Sequence, residues 1–295
     1  MPYFHHVSLL TQNRQENLTF YTQLLGLRFV KNTVNQENTR MLHYYYGDYQ
    51  GSPGSVITFF IVPHLGQRRD EAHYLAEIGL NVPKDSLDFW QQRFETQGIA
   101  VERKPTVLKV QDPDQVSLTF YETNQAAPAK ELIVNNEIPA DKQILGLADI
   151  NFYVPDPQKT AEFFKQLLGW STENQTIQLS SNEKITLTAT SANEKTRMGR
   201  GSIDHVAFAV KDDEALDLLY KKARQQKWQI EKIISRGYFK SLYIREPGGN
   251  RVEFATESPG FTIDEPLEHL GEQLALPPFL ADQRASIEEK LYSEN

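Results

Sequence analysis

The chain has 295 residues, 39% of them hydrophobic and 24% charged, enough for two ordinary domains with buried cores. It contains no cysteine, which excludes disulfides, thiolate metal sites and cysteine nucleophiles and leaves His, Asp and Glu as metal ligands. A formal net charge of −8 argues against a nucleic-acid partner, the longest apolar run, Val56 to Val62, is far below the roughly 20 residues of a membrane span, and the start of the chain carries no signal-peptide pattern, so a cytoplasmic location is the default expectation.

In chain order, "FHHVSLLT" (Phe4 to Thr11) reads as a strand and "NLTFYTQLLGL" (Asn17 to Leu27) as an amphipathic helix with apolar residues at three- and four-residue steps. "MLHYYYG" and "SVITFFIV" then read as strands, rich in aromatic and β-branched residues. The order repeats. "EIGLNVP" precedes the helix "SLDFWQQRFETQG" and the strand "VSLTFYET", "ADINFYV" precedes the helix "TAEFFKQLLGW", and "IDHVAFAV" precedes the helix "DEALDLLYKKARQQ" and the strand "RVEFAT". Gly26 and Gly169, 143 positions apart, end two helices that share Phe, Gln, Leu, Leu and Gly in register. The chain therefore reads as four copies of one unit, arranged as two pairs. The expected organisation is a first domain over 1–130, a linker over 131–144, a second domain over 145–257 and a proline-broken tail over 258–295 with a final helix.

Of the seven histidines, His43, His64, His73 and His269 read as structural or surface residues. His205 differs, because alternation in "IDHVAFAV" sets His205, Ala207 and Ala209 on one face and Val206, Phe208 and Val210 on the other. A face of one histidine and alanines suits a cavity. In "GNRVEFAT" the same alternation places Glu253 opposite Val252 and Phe254, and the first strand offers His6, Ser8 and Leu10 on one side and His5, Val7 and Leu9 on the other. Two imidazoles and one carboxylate form a set that suits Fe(II) with open coordination positions, and that also holds Mn(II) or Zn(II). A surface glutamate and a satisfied strand histidine is the competing reading. The repeat adds that Asp149, Glu77 and Thr119 occupy the positions matching His6, His205 and Glu253. If units one and four build one cup and units two and three another, only the first cup carries nitrogen ligands.

These units, with "HHVSLLT", "FYTQLLGLRFVKNTVNQ", "IDHVAFAV" and "EPGGNRVEFAT", resemble the vicinal oxygen chelate superfamily of glyoxalases, bleomycin-resistance proteins and extradiol dioxygenases over nearly the whole chain. "LGLRFVKNTVNQ" with "YYYGDYQGSPGSVITFF" most resembles its hydroquinone-type ring-cleaving dioxygenases. The resemblance implies an α+β fold of four βαβββ modules in curved, cup-like mixed sheets. It also implies that His6, His205 and Glu253 hold a catalytic Fe(II), that Arg236 and Tyr243 act beside it, and that His5 and Ser8 line the same pocket. Asp204 stands where the chlorohydroquinone enzymes carry a second histidine, a departure that bears on the substrate.

The implied activity is ring cleavage of a hydroquinone- or catechol-type aromatic diol by dioxygen. Tyr243 or His5 would steer protons, Arg236 would stabilise anionic charge, and Asp204 or Ser8 would hydrogen-bond the second ring nitrogen of a histidine ligand. One alternative is a glyoxalase-like isomerase or lyase, whose sites commonly hold the metal with four protein ligands. The other is a non-enzymatic sequestering protein like the bleomycin-binding ones, which lack a metal set. A homo-oligomer is left open.

Overall fold

The computed structural model describes residues 3–125, 127–191 and 193–293; the first two residues, Ala126 and Ala192 within the expected domains, and the last two of the expected tail lie outside these. All four units are present. Unit one is β1 (Phe4–Thr11), α1 (Arg14–Leu18), β2 (Arg28–Asn35), β3 (Asn38–Gly47) and β4 (Val56–Ile61). Unit two is β5 (Tyr74–Val82), α2 (Leu87–Thr96), β6 (Glu102–Lys104), β7 (Val107–Gln111) and β8 (Ser117–Glu122). Unit three is β9 (Gly146–Val154), α3 (Pro157–Leu168), β10 (Thr172–Glu173), β11 (Thr176–Gln178) and β12 (Lys184–Ala189). Unit four is β13 (Ile203–Val210), α4 (Asp213–Gln225), β14 (Gln229–Ser235), β15 (Lys240–Arg245) and β16 (Arg251–Thr256).

The first helix departs from the regular one expected over Asn17 to Leu27. It starts at Arg14, where the Asn13 side chain accepts from the Gln15 and Glu16 amides, and it widens into a π-helical turn over Thr19–Leu24. Phe20 and Tyr21 both enter the core there, as the adjacent Phe163 and Phe164 do from the regular helix α3. Tyr21 also donates to the Asp112 carboxylate at 3.0 Å, tying unit one to unit two.

Asp112 accepts the Asp114 and Val116 amides as well, yet burial dominates and pushes its carboxyl up to about 7. Between the ordinary carboxylate range and pH 7 the folded protein binds a proton that the unfolded chain does not. Stability from this group therefore grows as the pH falls through 7 and is lost as it rises. Denaturant midpoints of the wild type measured from pH 8 to pH 5.5 are expected to rise relative to those of Asp112→Asn; a constant difference would contradict this.

Units one and four share one eight-stranded sheet, in the order β14-β15-β16-β13-β1-β4-β3-β2, and units two and three share the other, β10-β11-β12-β9-β5-β8-β7-β6. The condition posed above is met, with each sheet drawing one unit from the first half of the chain and one from the second. In the first sheet β1 runs antiparallel to β13 and parallel to β4, while β13 runs parallel to β16. Phe208 on β13 packs on Phe164 and Trp170 at α3, so the bulky apolar face of this strand lies under the helical layer. Its opposite face, carrying His205, lines the concave side.

Beyond β16 the tail runs through short 3-10 turns at Phe261–Ile263, Leu267–His269 and Pro278–Gln283 to α5 (Arg284–Tyr292), which lies against β3. Phe261 and Leu270 pack with Tyr45, Tyr238 and Phe239 as a plug at one end of the first cup. Lys31, fully buried on β2, pins the plug: its ammonium donates to Asp264 at 2.8 Å, Glu265 at 2.5 Å and the Phe261 carbonyl at 2.9 Å.

Candidate metal centre

Three strands at the middle of the first sheet bring one side chain each to the base of its cup: His6 from β1, His205 from β13 and Glu253 from β16. All three are buried, none more than 3% exposed. His6 Nε2 lies 3.3 Å from His205 Nε2 and 3.4 Å from Glu253 Oε2, and His205 Nε2 lies 2.8 Å from the same oxygen. Three ligands about 2.1 Å from a common ion lie roughly 3.0–3.4 Å apart, from octahedral to tetrahedral geometry. The three atoms thus fit one face of a metal ion's coordination sphere.

The remaining atoms of the three groups are held from behind. His205 Nδ1 lies 2.7 Å from Asp204, which in turn accepts from Arg251 at 2.9 Å, so Nδ1 carries the proton and Nε2 presents a lone pair. His6 Nδ1 lies 2.8 Å from His5 Nδ1, and His5 hydrogen-bonds the backbone at Thr256. That network assigns the His5 proton to Nε2 and the His6 proton to Nδ1, again leaving Nε2 of His6 free. Glu253 Oε1 accepts from Ser241 at 2.5 Å, while Oε2 is buried without a hydrogen bond. Two lone pairs and an orphaned carboxylate oxygen facing each other are mutually repulsive unless a cation or proton lies between them, so the residues present fit a divalent metal.

Burial lowers His6, whereas Glu253 and Asp204 raise His205 against burial, so without a metal the proton between His205 and Glu253 is the one a cation would displace. Burial opposes the Glu253 charge, but the two imidazoles hold its carboxyl well below the usual range, and burial pushes His5 down to about 3, so it stays neutral. The Asp204 carboxyl is held low against burial by His205 and Arg251. Asp204→Asn removes the charge that orients and strengthens His205, and is expected to weaken metal affinity by about 10- to 100-fold, measured by competition with a chromogenic chelator. An unchanged affinity would contradict this role.

His5 and Ser8, expected to line the pocket, lie one layer behind it. A register irregularity in β1 between Phe4 and His6 turns the His5 ring back beside His6, both rings meeting Phe239. Ser8 bonds Thr58 at 2.7 Å and reaches neither ring nitrogen of a ligand, a place taken by Asp204 for His205 and by His5 for His6. His43, expected to be structural or superficial, is structural and also faces the cavity. It is buried in the cup, hydrogen-bonded to Thr58 at 2.9 Å and Tyr45 at 3.0 Å, and it lines the cavity with His6 and His205. Alternation in "MLHYYYG", with His43 and Tyr45 on one face, was the available signal. Of the others, His64 and His269 are exposed and His73 is half-buried at the surface.

Arg236 and Tyr243 reach the same cavity. Arg236 Nε donates to the Tyr243 hydroxyl at 3.1 Å, and Tyr243 is the cross-strand neighbour of Glu253, its ring edge-on to His205. Burial pushes the Tyr243 phenol well above its ordinary value, so it stays protonated. On the rim, the β2–β3 turn brings Glu37 to Lys232 at 2.6 Å and Arg236 at 2.8 Å, so the two edges of the curled sheet meet over the base. The enclosed space is narrow, with room for about one water molecule.

The second cup shows the same positions without a metal set. There Asp149 and Glu77 each face an ammonium at 3.5 Å, Lys184 and Lys109 respectively, and Glu77 sits in a bulge with φ 58°.

A family model described as "Glyoxalase/Bleomycin resistance protein/Dioxygenase superfamily" matches residues 3–120 and 146–254. The chain belongs to this superfamily. Within the superfamily it is 34% identical to MhqA of Bacillus subtilis, provisionally named a ring-cleaving dioxygenase, with 97% of each chain covered. It is 24% identical to the chlorohydroquinone/hydroquinone 1,2-dioxygenase of Sphingobium indicum, over 94% of this chain and 91% of that one. A Bacillus subtilis crystal structure, provisionally named a dioxygenase, superposes with a TM-score of 0.87 at 29% identity, covering 98% of this chain and 96% of the other. Glyoxalase I from Zea mays shares the fold, with a TM-score of 0.61 at 11% identity over 88% and 93% of the two chains.

Proposed function

We propose that this superfamily member is an Fe(II)-dependent ring-cleaving dioxygenase acting on hydroquinone- or catechol-type aromatic diols, with His6, His205 and Glu253 as its metal ligands. One observation carries the choice over a four-ligand isomerase. In β13 and β16 the ligand Glu253 pairs with Ala207, two residues after His205; in β1 and β4 the residue pairing with Ser8, two after His6, is Thr58. The fourth symmetry-related position therefore holds a hydroxyl, already engaged by Ser8 and His43, and not a carboxylate. A three-ligand face leaves positions for substrate and dioxygen.

Bound Fe(II) would supply the electronic coupling between an electron-rich ring and dioxygen that organic side chains lack. The protein supplies position and charge. His5, Asp204 and Ser241 hold the ligand atoms, Arg236 stays cationic beside the cavity, and Tyr243, whose oxygen accepts from Arg236, keeps a phenolic proton beside Glu253. His5 thus acts by orienting His6, since its neutral ring does not reach the cavity. Methylhydroquinone and 4-methylcatechol supplied to the Fe(II)-loaded protein are expected to drive stoichiometric oxygen uptake. Turnover of the methylglyoxal-glutathione adduct without oxygen uptake would favour the isomerase and overturn this reading.

A further inference from the structure

We infer that Arg251 and Glu231 are positioning residues that act through Asp204 on His205, tuning how strongly this one ligand donates to the metal. This rests on the ligand assignment above. Asp204 directly precedes His205 on β13, where neighbouring side chains ordinarily point to opposite faces. The register of β1 on β13 passes from Ser8 opposite His205 to Leu9 opposite Ile203, which leaves Asp204 as the extra residue of a bulge. The bulge turns its carboxylate back to the His205 ring, 2.7 Å from Nδ1. Arg251 on β16 fixes the carboxylate there, its Nη1 donating to both Asp204 oxygens at 3.0 and 2.9 Å.

The row continues outward. Arg251 Nε donates to Glu231 on β14 at 2.6 Å, and Glu231 accepts in turn from Arg245 Nε on β15 at 2.9 Å. Side-chain exposure rises from 17% at Asp204 to 33% at Arg245, so the row leads from the buried ligand to the surface. Burial opposes the charges of Asp204, Glu231 and Arg251, and their neighbours win: both carboxyls are held below the usual range and the guanidinium above its own. Successive groups therefore carry opposite charges. Asp204 draws on the Nδ1 proton of His205 and so enriches Nε2, the atom that faces the metal. Arg251 takes up part of the Asp204 charge and restrains that pull, while Glu231 occupies Arg251 from its far side and relaxes the restraint, since hydrogen bonds in a chain polarise one another. His6 is backed differently, its Nδ1 meeting the neutral ring of His5. Removing successive charges must then move the metal site in alternating directions, whereas a row that only stiffened the strand would weaken it at every step.

The test loads the full chain, carrying isotope-labelled histidine, with Zn(II), which leaves the ring N–H protons visible to magnetic resonance. Affinity is measured alongside by competition with a chromogenic chelator. Arg251→Met is expected to move the His205 Nδ1–H resonance downfield and to tighten Zn(II) binding by about threefold, and Glu231→Gln to move it upfield and weaken binding by about threefold. Arg251→Lys, which keeps the charge, should restore the wild-type position, and the His6 Nδ1–H resonance should stay in place throughout. Displacement of the His205 resonance in one direction by both Arg251→Met and Glu231→Gln, no displacement by either, or an equal displacement of His6 overturns the inference and leaves the three ligands standing. If Arg251→Met does not fold, an upfield shift in Glu231→Gln with none in Arg251→Lys supports the inference, and a downfield shift in Glu231→Gln overturns it. If the wild type does not hold Zn(II) against the chelator, the ligand assignment fails and this inference with it.

Discussion

His6→Ala and Glu253→Ala, prepared without oxygen and supplied with Fe(II), are expected to lose diol-dependent oxygen uptake by at least about a thousandfold and to retain little metal. Each ligand strand contributes one donor, so either substitution leaves two, too few to fix an ion on one face. Metal binding is linked to folding, so Fe(II) should raise the wild-type melting temperature, by an amount that grows with metal concentration, and leave both variants unmoved. This thermal shift is read without turnover. Ser241→Ala should behave differently: it frees Glu253 Oε1 but keeps all three ligands, so metal still binds, more weakly. A His6→Ala protein with wild-type metal content and activity would remove His6 from the site.

Lys31→Met should cost about 3–5 kcal/mol, because it strands Asp264 and Glu265 in a buried environment without their cation. The consequence is local before it is global. The plug formed by Phe261 and Leu270 rests on the same contact, so amides in the tail from Phe261 to Tyr292 should exchange faster, and the Tyr45 and Phe239 side of the cup should loosen. The triple variant Lys31→Met, Asp264→Asn, Glu265→Gln removes both sides of the pairing and should regain much of the lost stability. Melting curves and hydrogen exchange measure both effects. If Lys31→Met melts and exchanges like wild type, the lysine is not the pin of the tail.

The repeat and the cluster of His6, His205 and Glu253 could be read from the chain because both follow from short-range rules. Strand alternation alone sets His205 and Glu253 on cavity-facing positions, and the matched helices ending at Gly26 and Gly169 expose the duplication. Pairing of unit one with unit four stood only as a condition, the one that unites His6 with His205 and Glu253, and the sheet order meets it. What escaped depends on irregular backbone or on curvature. A register shift in β1 moved His5 out of alternation and made it the holder of His6, while the wider turn in the first helix broke its expected period. Thr58 and Ser241 come near the site through the strands next to β1 and β16, and Gln36 only once eight strands curl until β2 and β14 meet; no spacing in the sequence encodes that pairing or that curl.

The central claim is tested most directly by supplying the Fe(II)-loaded protein with methylhydroquinone under isotopically labelled dioxygen and weighing the product. The account predicts a ring-opened product carrying both labelled atoms, formed by wild type and absent with Glu253→Ala. A product with the ring intact, whether unreacted diol or its quinone, would contradict it.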